Sequence, residues 1–109
     1  MKVFNIENMH NGWFIGDFEP SIFKNPFFEV AHHKHPKGYS CEPHTHKVGQ
    51  EVTYIVRGSL VASGKELKEG DIFWYEPNEV ANVTVLEDVD LIVVKWPSVP
   101  SDKYIMNEQ

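Results

Sequence analysis

Turn residues recur so often along this chain that no long helix fits between them. Pro36-Lys37-Gly38, Gly58, Ser63-Gly64, Gly70-Asp71, Pro77-Asn78 and Glu87-Asp88 each punctuate a short run of apolar, aromatic or β-branched residues. Such runs include FFEVAHHKH (27–35), VTYIVRG (52–58), IFWY (72–75), VANVTVL (80–86) and LIVVKW (91–96). Runs of this length and composition read as strands, and their spacing predicts about ten of them in a sandwich or barrel. Ser63-Gly64 has the form of a two-residue hairpin turn between Leu60–Ala62 and Lys65–Leu67. Residues 2–6 alternate loosely and read as a first edge strand, with WFI as another short extended piece. The expected class is all-β.

A chain of 109 residues supplies one domain and one core. The expected domain is 1–109, with its core over about 27–96, N-terminal strands before it and a surface tail after it. Hydrophobic residues make up 41% of the chain and aromatics 13%, which suits a folded protein and not a disordered one. The formal charge of −6, with scattered Lys and Arg, argues against nucleic acid as a partner. No apolar run approaches spanning length, so no membrane is expected, and the N-terminus does not read as a signal peptide. Cys41 is alone and has no internal partner for a disulfide, which suits a reducing cytoplasmic compartment.

Chemistry concentrates in Gly38–Gly58, GYSCEPHTHKVGQEVTYIVRG. On an extended strand His44 and His46 share a face. Glu51 lies an odd number of residues from His46 and would face the other way on a straight strand. A bend at Val48-Gly49 would return it to the same side. Two imidazoles and a carboxylate converging in this way can hold a divalent transition metal while leaving positions open.

Written as G-x5-H-x-H-x4-E-x6-G, through Gly38, His44, His46, Glu51 and Gly58, this stretch resembles the first signature motif of the cupin superfamily at every anchored position. A second motif, G-x5-P-x-G-x2-H, opens correctly at Gly70-Asp71-Ile72. It then departs: Glu76 stands at the proline, Asn78 at the glycine and Ala81 at the histidine. The resemblance implies a cupin-type jelly-roll β-barrel with a metal inside, the metal being Fe, Mn, Ni or Zn. Replacing the second-motif histidine by alanine removes the usual fourth protein ligand. Asn82, His33, His35 or water could fill that place.

Other residues weigh less. Glu29, Ala31, His33 and His35 share one face of their strand, so His33 and His35 are candidates to line a pocket. His32 falls on the other face. Some of Phe73, Trp74, Tyr75 and Trp96 must face inward and others outward. Tyr54 points away from the metal face, and Cys41 reads as a small half-buried residue. Arg57, Lys95 and Lys103 could in principle pair with an anionic substrate, yet isolated basic residues are usually just solvated. Nothing resembles a nucleophile with its base, a phosphate loop or a glycosidase carboxylate pair.

Two functions are consistent with these residues. One is a metal-dependent enzyme acting on a small oxygen-rich molecule, which the resemblance implies to be of dioxygenase, decarboxylase or sugar isomerase or epimerase type. The other is a non-catalytic module that binds a carbohydrate or acid, with a structural metal or none. The apolar positions of VTYIV and LIVVKW exceed what one barrel interior holds, which predicts a homodimer.

Overall fold

Strand boundaries follow the turn residues, with two exceptions that shape the barrel. The computed structural model describes residues 1–106, so the last three residues of the expected domain lie outside the described residues. Eight strands are seen: β1 (Trp13–Ile15), β2 (Glu29–His35), β3 (His44–Thr45), β4 (Gln50–Ala62), β5 (Lys65–Lys68), β6 (Ile72–Tyr75), β7 (Val83–Trp96) and β8 (Tyr104–Ile105). They form a cupin-type jelly-roll β-barrel. The main sheet runs β1-β2-β7-β4-β5, with β6 also on β4, and a small β3-β8 sheet lies apart from it. All pairings are antiparallel.

Ser63 and Gly64 both take positive φ, 48° and 84°, and join β4 to β5 as a two-residue hairpin whose twist matches its strands. Residues 2–6 form no strand. A short 3-10 helix, Ile6–Asn8, begins there instead, with the Asn5 side chain accepting from the Glu7 N–H. Loose alternation without a neighbouring strand to pair with does not make an edge.

The exceptions are Gly58 and Glu87-Asp88, where the sequence predicts strand ends. Here β4 and β7 instead continue for 13 and 14 residues. Their mutual register slips between Ile55 and Leu60, so both strands bend while staying paired. Gly58 has φ +93°, and a Cβ there would stand 2.1 Å from the Asp88 carbonyl oxygen. The two break signals therefore face each other across one bulge, and that bulge rolls the sheet over on itself.

The core gathers at this bend: Ile55, Leu60, Val85 and Val89 are fully buried, with Ala31, Ala62, Leu91 and Val93 around them. The outward face of the same strands stays apolar in places. Tyr54, Ile72, Trp74 and Trp96 are all exposed there. No helix among the described residues is long and apolar enough to cross a membrane.

Candidate active site

Toward the other end of β4 and β7 the inward positions become polar. Register places Glu29 of β2, Lys95 of β7, Glu51 of β4 and Tyr75 of β6 in one row across the sheet. That row borders a cavity of about 1050 Å³, together with His44 and His46. The volume is at the upper end of what small-molecule sites occupy.

His44 and His46 are both buried, with ring centroids 5.1 Å apart and planes nearly perpendicular. The His44 backbone pairs with Ala81, donating to its carbonyl at 3.1 Å and accepting from its N–H at 2.7 Å. The His46 carbonyl accepts from Asn78 N–H at 2.7 Å. The degenerate second motif thus still supports the first through its backbone. His44 Nδ1 lies 2.8 Å from the Glu42 carbonyl. A carbonyl only accepts, so Nδ1 carries the proton and Nε2 is left with a free lone pair, the arrangement that orients a ligating imidazole. Burial, aided by Lys95 and His44, lowers the His46 pKa to about 4, so its ring is neutral near pH 7.

A bend lies at Lys47-Val48, one residue before the expected Val48-Gly49, and brings Glu51 round to His46, with Oε2 3.9 Å from Nε2. The tail holds it in place. Asp102 is buried, and its carboxylate accepts from the backbone N–H groups of Lys47 at 2.9 Å, Val48 at 3.1 Å and Gly49 at 2.8 Å. Burial works to raise the Asp102 pKa, but the Gly49, Lys47 and Val48 donors outweigh it and the net shift is downward. β8 then pairs with β3 beside His44. The C-terminal segment, expected as a surface tail, is a clasp on the site.

The Glu51 side chain keeps 20% exposure, and its contact with the His46 ring, at 3.9 Å, is too long for a hydrogen bond. Burial raises its pKa, opposed in part by Lys95. Two imidazoles and a carboxylate suit a divalent transition metal in kind. In spacing the set stands open. Donors sharing one ion at roughly 2.1 Å lie roughly 3.0–3.4 Å from each other, and His46 to Glu51 is wider than that. Among the described residues, no three His, Cys, Asp or Glu side chains are gathered closely enough to hold an ion as they stand.

Of the residues considered for a fourth ligand, Asn82 is corrected. Alternation turns Ala81 inward, where it is buried against the cavity, and leaves Asn82 exposed outside it. His33 and His35 do line the cavity. The His33 ring meets Trp13 edge-on at 5.3 Å, and His35 stacks on Tyr39 at 3.9 Å. Burial, then neighbouring His35, His32 and Lys95, lowers the His33 pKa to about 4, and burial lowers that of His35. Phe73 and Tyr75 face the cavity while Trp74 and Tyr54 face out, as alternation predicts.

Lys95 is a second correction. It is not solvated: it is 8% exposed and lines the cavity, with Nζ 3.3 Å from Glu29 Oε1. Glu29 is buried as well, and its other oxygen accepts from Ser98 Oγ at 2.8 Å. The signal was legible in LIVVKW, where Leu91, Val93 and Lys95 share a face. A lysine in step with a buried apolar row is inward by register, whatever its usual preference.

No protein-family model and no curated sequence matches the chain. Solved structures do. An uncharacterised conserved protein with a double-stranded β-helix domain from Klebsiella pneumoniae is 17% identical, over 98% of this chain and 93% of its own, with a TM-score of 0.71. KdgF from Halomonas sp. is 24% identical over 67% of this chain and 71% of its own, with a TM-score of 0.62. An RmlC-like cupin from Shewanella frigidimarina is 25% identical over 67% and 68%, also with a TM-score of 0.62. Oxalate decarboxylase and salicylate 1,2-dioxygenase stand among the neighbours at 17% and 19% identity.

Proposed function

We propose, this chain being a small cupin domain by its fold, that it is an enzyme acting on a small oxygen-rich molecule at a divalent transition metal held by His44, His46 and Glu51. The observation that carries the reading is the Glu51 carboxylate, largely covered and 3.9 Å from the neutral His46 imidazole, too far for a hydrogen bond. A carboxylate in such a place calls for a cation. When bound, the metal supplies Lewis acidity or activation at its open positions.

The chain's own residues supply the rest. Glu42 fixes the His44 tautomer, and Asp102 fixes the bend that carries Glu51. Ala81 puts a methyl group where a fourth imidazole would stand, which leaves room for water or an oxygen of the substrate. His33 and His35, on the cavity wall, are the candidates to accept or hold a proton. Phe73, Leu91 and Val93 supply apolar walls that limit water.

The test is elemental analysis of protein purified without an affinity tag, beside the His44→Ala/His46→Ala variant. About one transition metal per chain, lost in the variant, is the expected result. No metal, even after reconstitution with iron, manganese, nickel and zinc, overturns the enzyme reading. A second reading, a binding module without catalysis, is favoured by Ala81 and by the Lys95 ammonium beside Glu51, both of which weaken hold on a cation. A module returns its ligand unchanged after long incubation, whereas an enzyme does not.

The same reading takes a homodimer in the cytoplasm. Register sets Val52 between Trp74 and Val94, and Tyr54 between Ile72 and Ile92, so the outer face is a continuous apolar surface for a second copy. A monomer by light scattering at micromolar concentration removes that claim.

A further inference from the structure

Lys95 has no part in holding a metal, yet it sits nine-tenths covered in the middle of the row Glu29–Lys95–Glu51. An ammonium carries three N–H donors. Among the described residues, one carboxylate oxygen lies within ion-pair range, Glu29 Oε1 at 3.3 Å, and the Trp13 ring centroid lies 5.7 Å away. Glu29 is itself fully engaged, since Ser98 holds its second oxygen. Lys95 therefore faces the cavity with donor capacity that its ion pair does not use. Unmade donors in a covered place are costly, and an arriving anionic oxygen would satisfy them.

Charge decides the class of anion. Glu29, Lys95 and Glu51 together carry −1, and a divalent ion at His44, His46 and Glu51 would bring the floor of the cavity to +1. One surplus charge matches a monoanion. A phosphate dianion would need a further buried cation, and Lys34 and Lys103, which also border the cavity, are exposed. The apolar walls of Phe73, Leu91 and Val93 suit the carbon frame of the same molecule.

We propose that Lys95 receives the carboxylate of a small organic acid, whose second oxygen reaches the His44–His46–Glu51 group. The Lys95 contact stands without the metal reading; the choice of a monoanion and the seat of that second oxygen rest on it. The substrate class is then a small hydroxy or keto monocarboxylate, anchored at one end by Lys95.

Lactate and its neutral analogue lactamide are the probes, titrated into 15N-labelled protein and followed by amide shifts, first metal-free and then with one equivalent of Zn2+. Lys95→Met alone would strand the buried Glu29 carboxylate, so the variant is Glu29→Gln/Lys95→Met, with Lys95→Arg as a charge-retaining control. Lactate is expected to bind the metal-free wild type at least roughly tenfold tighter than it binds the double variant, in keeping with a charge-assisted hydrogen bond. Lactamide is expected to separate wild type from variant by less than about twofold, and Lys95→Arg to keep part of the lactate affinity. Equal lactate affinity in wild type and double variant overturns the proposal. So does lactamide binding the wild type as tightly as lactate does, or neither probe binding it, in the metal-free and the zinc-loaded protein alike, and these two comparisons need no variant to fold. Zinc titration separates the two ideas: failure to bind zinc with lactate recognition intact sinks the metal centre and leaves the Lys95 proposal standing.

Discussion

The two ends of β4 and β7 obey one geometric rule and come out chemically opposite. Around the bend, the inward positions are Ile55, Leu60, Val85 and Val89, which are closed off from solvent. Toward the far end they are Glu51, Thr53 and Lys95, and they border the cavity. The register is unbroken from Gln50 to Ile55, and beyond the bulge the two strands pair again from Leu60 to Ala62. Alternation therefore sets which side chains face in, and their identity alone sets whether the space is filled as core or kept as a site. The dry end supplies stability, while the wet end carries groups that stability alone would not select.

The largest effect is expected at the dry end. Leu60→Ala removes a fully buried side chain among Val85, Leu67 and their neighbours, and should cost about 2–5 kcal/mol in denaturant unfolding. Its midpoint should fall while metal content per folded chain stays the same. A parallel loss of metal would show that the two ends are not separable.

Asp102→Ala acts on the wet end through the clasp. It leaves the N–H groups of Lys47, Val48 and Gly49 without their acceptor, at a cost of about 1–3 kcal/mol. Gly49 fits here because even a Cβ would stand 3.2 Å from Asp102 Oδ2. Metal affinity should fall by more than the stability loss alone explains, since the bend that carries Glu51 is loosened. Asp102→Asn should recover part of it. If metal affinity follows Leu60→Ala and Asp102→Ala alike, Asp102 is a stability residue and nothing more.

Much of this contrast could be read before any coordinates. The Ser63-Gly64 hairpin, the shared face of Glu29, Ala31, His33 and His35, the bend between His46 and Glu51, and the all-β class follow from local period and turn chemistry, while the jelly-roll barrel comes from the resemblance of Gly38–Gly58 to a cupin motif. What escaped was long-range. Gly58 and Glu87-Asp88 each read as a strand end, and only their pairing turns two breaks into one bulge. Asp102 binds a loop more than fifty residues away, and no local pattern marks it as more than a polar tail residue. Lys95 departs for another reason: the register of its own strand, and not the usual preference of lysine for solvent, decides where it points.

A pH titration sharpens the comparison with a smaller effect. The His33 pKa is lowered to about 4 in the fold, chiefly by burial, from 6.5. The unfolded chain therefore binds more protons between these values, and stability falls as pH falls from about 6.5 toward 4. The His33 share of the loss should reach about 2 kcal/mol between pH 7 and pH 5 in metal-free protein, and His46, lowered likewise to about 4, adds a similar share. His33→Gln should remove about half of that slope and leave the His46 share, and Leu60→Ala should shift the curve down without changing it. A slope left unchanged by His33→Gln assigns the titration elsewhere.

Glu51→Gln should have the smallest effect on folding and the sharpest on the site. Burial raises the Glu51 pKa, so the folded state disfavours its charge near neutral pH and gains nothing from keeping it. The neutral amide lifts that penalty, although it forgoes the attraction of Lys95. Metal-free Glu51→Gln should accordingly melt at the wild-type temperature or slightly above it, while losing the metal that wild type retains. A residue whose removal costs the fold nothing and the site everything is held for function. A clear drop in melting temperature would instead make Glu51 a structural partner of Lys95, and the wet end would then be a polar core and not a site.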